Sequence, residues 1–216
     1  MAYLITCMIV IDVETTGIYF HKHSLLSIGA VDLLNPSNQF YIECYMWDGA
    51  EIYDGDGSEG HTNALDINGF TLEQINDMSK PSVGEAVKKF IEWTDTCKSK
   101  VMFGLNPMFD LKFLEYSCLR FNIKWDMGYR GVDLYTLVFA HMINRNIMPE
   151  KITGTACLNY VGLPQEPKPH NALNGAKYEA EAFSRLLYGK NLLDEFRQYN
   201  IPGYLLKLSE EKLIRE

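Results

Sequence analysis

IVIDVETTG, residues 9–17, joins an aliphatic run to two acids and a Thr-Thr-Gly turn. The run begins further back, as LITCMIVI over 4–11. An unbroken apolar stretch of that length predicts a central strand buried on both faces. Asp12 and Glu14 stand two residues apart at its end, so a strand projects both from one face of its sheet. Neighbouring carboxylates resist joint ionisation unless a cation lies between them. A solvated acid pair at a strand end is the plainer alternative, and the apolar run before the pair and the turn after it speak against that.

Outward from this stretch the chain falls into two halves. Residues 24–34 (SLLSIGAVDLL), a turn at NPSN and the alternating 39–46 (QFYIECYM) complete an antiparallel meander of three strands. Residues 48–63 are polar and glycine-rich and predict a loop. Helical spacing covers 71–78 and 82–97, the second opened by a Ser82/Glu85 capping box. A strand at 100–105, a helix at 108–121 beginning past Pro107, and a strand at 129–133 feeding a helix through 144 follow. Helices at 155–161 and 171–189 come next, then a helical tail over 191–215 broken at Pro202-Gly203. This order predicts one α/β domain, a mixed sheet of about five strands with helices on both faces.

Composition narrows the class. The 216 residues are 47% hydrophobic and 22% charged, with a net charge of −8. No apolar run is long enough to cross a bilayer and no signal peptide is legible, so a cytoplasmic setting without membrane association is expected. Five scattered cysteines without a CxxC pair read as reduced core thiols. The acidic balance argues against a protein that tracks a duplex groove, but allows one that grips a nucleic-acid end through cations held by carboxylates.

Two further segments carry candidate chemistry. In FGLNPMFDLKFL, 103–114, Asp110 falls in the first turn of a helix after a short strand. A helix dipole favours an acid there on structural grounds alone. In PKPHNALNGAKYEAEAF, 167–183, His170 precedes a helix that begins poorly, with Asn174 and Gly175, and whose first acid is Glu179.

Together these segments resemble the DEDD-type 3′–5′ exonucleases, in the histidine-bearing DEDDh or DnaQ-like branch, over residues 5–190. DVETTG matches the first motif, NPMFD the second and HNAL the third, with SIGAV, GVDLYTL and LNYVGLP as connecting elements in family order. The resemblance implies an RNase H-like fold, with 1–190 as the exonuclease domain and 191–216 as its C-terminal helical extension. It implies two Mg²⁺ or Mn²⁺ ions about 3.5–4 Å apart, held by Asp12, Glu14 and Asp110, with Asp12 bridging. His170 would take the proton from the attacking water, releasing nucleoside 5′-monophosphates from single-stranded DNA or RNA 3′ ends or short oligonucleotides. Thr15, Thr16, Gly17 and Phe109 would hold the terminal nucleotide. Family members include dimers and polymerase-bound subunits, so a homodimer or a polymerase association is implied as well.

The family pattern places an aspartate five residues after the histidine, where this chain has Gly175. Three accounts fit: an active-site variant, a catalytically inactive module that binds nucleic-acid ends, nucleotides or a protein partner, or a substitute ligand from Glu179. On a helix Glu179 lies only about 40° from the direction of Gly175, while Asn174 is off by about 100° and Glu181 faces elsewhere. His21 and His23 read as an exposed loop, DGDGSE at 54–59 lacks the glycine and acid of a calcium loop, and Lys88, Lys89, Lys98 and Lys100 read as a solvated face.

Overall fold

A computed structural model describes residues 8–55, 63–97 and 100–206. Strands β1 (Ile9–Thr15), β2 (Leu25–Asp32), β3 (Gln39–Glu43), β4 (Met102–Gly104) and β5 (Gly131–Asp133) form one sheet in the order β3-β2-β1-β4-β5. β1 pairs antiparallel with β2, and β2 with β3, which is the expected meander; β1–β4 and β4–β5 are parallel. Residues 4–7 of the expected first strand lie outside the described residues.

Period two sorts β1 between two cores. Ile9, Ile11 and Val13 pack with α3 (Val83–Thr94) and α4 (Pro107–Arg120) on one face. Met8 and Val10 pack on the other with α5 (Leu134–Asn144), α6 (Gly154–Tyr160) and α7 (Ala172–Tyr188). Asp12 and Glu14 continue the Met8–Val10 row, so they emerge on the face that α7 covers. Asp12 pairs across the ladder with Gly29 of β2. A Cβ on Gly29 would overlap the backbone of Ala172 and Leu173. Glycine there, with the fully buried Ala172, Ala176 and Ala180, seats the start of α7 directly on the sheet.

Helix α3 carries the capping box read from Ser82 and Glu85. The expected helix at 71–78 shrinks to α2 (Leu72–Ile75), preceded by α1 (Ala64–Asn68), which the sequence reading missed. Two short caps explain the division: Asn63 caps α1, Gly69 ends it in a left-handed conformation, and Thr71 with Gln74 boxes α2. Cys44, Cys97, Cys118 and Cys157 are buried and none is in a disulfide; Cys7 lies outside the described residues.

The helical tail expected over 191–215 is corrected for 191–202, where only a 3-10 turn at Asp194–Phe196 forms; residues 203–206 are helical, and 207–216 lie outside the described residues. The cause is α7. Its Glu181 accepts the N–H groups of Leu192 and Leu193, and its Arg185 donates to the carbonyls of Phe196 and Tyr199. Backbone groups that an intrahelical ladder would use are thus taken by side chains.

Candidate active site

Each acid is placed by a local rule. β4 ends at Gly104, and beyond it the Val13 N–H on that edge of β1 donates to Asp110 Oδ1 at 3.0 Å. Asp110 reaches it because Asn106 turns the chain in a left-handed conformation (φ 62°) and Pro107 starts α4 at once. Leu105, next after β4, donates its N–H to Glu179 Oε2 at 2.9 Å, and Asn106 donates to Asp133 Oδ1 at 3.0 Å. Asp133 also caps α5, a role that GVDLYTL did not reveal. Segments far apart in the chain therefore converge where β1 and β4 end.

His170 donates its backbone N–H to Ile67 O at 3.0 Å, and Asn171 caps α7 through the N–H groups of Leu173 and Asn174. The His170 Nδ1 atom stands 3.8 Å from Glu166 Oε2, and its buried Nε2 makes no hydrogen bond within the protein. Glu166 was missed by sequence reading. It sits in a proline-flanked loop, where no periodicity announces a partly buried acid.

Five carboxylates share this region. Burial raises Asp12 well above the usual range, reinforced by Glu179, Glu14, Asp110 and Glu166 in that order. Burial also pushes Glu14 up to about 8, with Glu166 and Asp110 adding and Asn68 opposing. Asp110 is pushed up to about 8 by burial, against the Val13 N–H, and Glu166 to about 7, against the Asn171 N–H. Glu179 is raised by burial and then Asp110. His170 goes the other way, lowered by burial and then by Lys168, so its ring is neutral at neutral pH.

Hard oxygen donors that repel one another suit Mg²⁺ or Mn²⁺. Among the described residues no three His, Cys, Asp or Glu side chains converge on one point as a finished metal cage. Asp110 and Glu179 each spend an oxygen on a backbone N–H. The donors fit a divalent ion in chemistry and would turn to meet it.

The raised carboxylates set a pH dependence. Unfolded, these groups ionise near pH 4; folded, Glu14 and Asp110 hold their protons to about pH 8. The folded state binds more protons across that window, so stability falls as pH rises through it. Without metal, the melting temperature is expected to fall by on the order of 5 °C from about pH 5.5 to about pH 8.5, a shift of 2–4 °C per kcal/mol being typical at this size. Excess Mn²⁺ is expected to restore more stability at the higher pH. Calorimetry with and without chelator checks both; a melting point that rises with pH would contradict the burial of these acids.

Two cavities flank the acids. One, of about 230 Å³, is lined by Glu14, Thr15, Gly17, Tyr53, Asn68 and Phe109, among others. Thr16 does not line it: fully buried, it donates to Glu51 O and accepts from Ser24 N. Phe109 both lines it and packs on Phe113 at 4.9 Å between ring centres. The other, of about 190 Å³, is lined by Leu105, Glu166, His170, Gly175 and Glu179, among others. The expectation of an exposed His21-Lys22-His23 loop is corrected at His23, which is 3% exposed and accepts the Tyr19 N–H through Nδ1. Lys100 is paired with Asp95 and Asp126, and Lys98 lies outside the described residues.

No family model matches the chain. It is 28% identical over 179 residues to the Escherichia coli 3′–5′ DNA exonuclease Cap18, spanning 80% of this chain and 87% of that protein. It is 25% identical over 218 residues to the Haemophilus influenzae DNA polymerase III subunit epsilon, spanning 96% and 77%. Among solved structures, the nuclease domain of 3′hExo, a DEDDh family member bound to rAMP, superposes with a TM-score of 0.62 at 15% identity over 90% of this chain and 96% of that one. E. coli exonuclease I bound to a dT13 oligonucleotide gives 0.58 at 13% identity, over 83% of this chain and 41% of that one.

Proposed function

The chain belongs to the DnaQ-like 3′–5′ exonucleases, and on that footing we propose that it releases nucleoside 5′-monophosphates from the 3′ ends of single-stranded nucleic acid at the cleft between β1, α4 and α7. The observation that supports it is the mutual electrostatic reach of Asp12 and Glu14 from β1 and Asp110 from α4, with Glu14 lining one cavity and His170, just before α7, lining another beside Glu166. Asp12, Glu14 and Asp110 would hold two divalent ions. Bound there, Mg²⁺ or Mn²⁺ would supply positive charge that lets the acids ionise together and that meets the charge developing on the phosphate.

His170 takes the proton from the attacking water at Nε2, an atom that is neutral and uncommitted within the protein. The cavity beside Glu14 receives the terminal nucleotide, with Thr15 and Gly17 along its wall and Phe109 against the sugar or base. Thr16 shapes the turn and stays out of contact. The net charge of −8 favours short ends over long tracked strands. A cytoplasmic site of action and association with a polymerase or a second copy belong to the same reading; among the described residues no helix is long and apolar enough to cross a membrane.

The test is stepwise shortening of 5′-labelled single-stranded DNA and RNA with Mg²⁺ or Mn²⁺. His170→Ala is expected to slow it by about 10²-fold or more, the scale of lost general-base catalysis, and the remaining activity is expected to lose its low-pH limb. Intact oligonucleotides of both kinds after incubation with the unaltered chain would end this reading.

A further inference from the structure

We propose that Glu179 supplies the fourth carboxylate of the site from one helical turn beyond the family position, and that Gly175 makes room for this arrangement; the proposal rests on the exonuclease reading above. Positions 175 and 179 are i and i+4 on α7, so they lie one above the other on the same face. Side chains on a helix lean toward its N-terminus, and Glu179 therefore reaches back over the surface that Gly175 leaves bare.

The structure bears this geometry out in three ways. Glu179 is 8% exposed, unlike a solvated helix acid, and it lines the same cavity as Gly175 and His170. Its Oε2 holds the Leu105 N–H, which fixes the carboxylate at the end of the strand beside β1 and leaves Oε1 uncommitted. Among the carboxylates around Asp12, Glu179 acts on it most strongly, ahead of Glu14 and Asp110.

Gly175 has its own steric reason. A Cβ there would overlap Asp12 Oδ2 and stand 2.8 Å from Asp12 Cγ. Any side chain at 175 must push the Asp12 carboxylate from its place, so with α7 seated here an aspartate at the family position would displace the central acid of the site. The neighbouring candidates are spoken for. Asn174 is exposed, Glu181 is fully buried in an ion pair with Arg185 at 2.8 Å, and Glu166 faces the His170 ring.

The experiment is equilibrium Mn²⁺ binding to the full chain, read from the paramagnetic resonance signal of free ion, beside exonuclease rates. The unaltered protein is compared with Glu179→Gln, Gly175→Asp and Asp12→Asn. Glutamine keeps the shape and can still accept the Leu105 N–H, so the fold is retained, which a melting curve checks. Glu179→Gln is expected to weaken Mn²⁺ binding by about tenfold or more, the scale seen when groups around a metal are altered. Gly175→Asp is expected to gain neither affinity nor rate. Mn²⁺ binding by Glu179→Gln equal to the unaltered chain, while Asp12→Asn has lost it, would overturn the proposal. So would a tenfold gain by Gly175→Asp. If Asp12→Asn also binds normally and no variant shortens an oligonucleotide, the exonuclease reading itself has failed.

Discussion

Asp12→Asn is expected to lose about 10³-fold or more in exonuclease rate while melting no lower than the unaltered chain. Charge stabilisation by a held metal is worth several kcal/mol, and each 1.36 kcal/mol is tenfold in rate. Asp12 is the residue on which the other four carboxylates of the site act together. In the proposed reading, Asp12→Asn takes a ligand from the centre of the donor set. It also relieves repulsion, so in chelator at about pH 8 the variant is expected to be the more stable protein. Opposite signs for activity and stability mark a residue held in place for chemistry. Single-turnover shortening and a metal-free melt, taken together, check this. A variant that is both less active and less stable would instead mark Asp12 as a structural acid.

Arg185→Met is expected to be the most damaging single change to the fold. The guanidinium is fully buried and pairs with Glu181 at 2.8 Å. It also donates to the carbonyls of Val161, Gly162, Phe196 and Tyr199 and to the Asn191 side chain. Removing one partner of a buried pair costs about 3–5 kcal/mol, which at 2–4 °C per kcal/mol in a domain this size lowers the melting temperature by roughly 6–20 °C. Lysine is no remedy, because its three donors cannot serve a planar array of this kind. Replacing both partners, as Glu181→Leu with Arg185→Met, is expected to recover at most part of the loss, since the four carbonyls remain without their donor and the Leu192 and Leu193 N–H groups lose their acceptor. Full recovery in thermal melts would show that the ion pair alone matters.

The sheet was legible because β1 announces itself twice, by the unbroken apolar run to Ile11 and by the acids that break it at Asp12 and Glu14. The same period-two logic put both acids on one face, and the structure assigns that face to α7. Asp110 and His170 were legible through motif resemblance. Their positions alone decided nothing, since helix starts favour Asp110 in any case. The reason for Gly175 was not legible, because it depends on how closely α7 approaches β1, a distance that no local pattern encodes. Glu166 was hidden for the opposite reason, lying in a loop with no period to break. The first part of the tail, 191–202, was misread because its backbone partners, Glu181 and Arg185, lie on another helix, and helical spacing could not reveal that competition.

The close seating of α7 also sets the two boundaries of the cleft apart. With the backbone of Ala172 and Leu173 pressed on Gly29, the start of α7 has no side chain between helix and sheet there, and at Gly175 only the Asp12 carboxylate intervenes. At Gly29 the helix cannot approach the sheet more closely without moving backbone against backbone. The facing boundary, the irregular chain from Leu163 to His170, includes exposed side chains at Gln165, Pro167, Lys168 and Pro169. The two boundaries of the cleft therefore differ in kind, a helix start seated by backbone contact on one side and an irregular, partly exposed segment carrying Glu166 on the other.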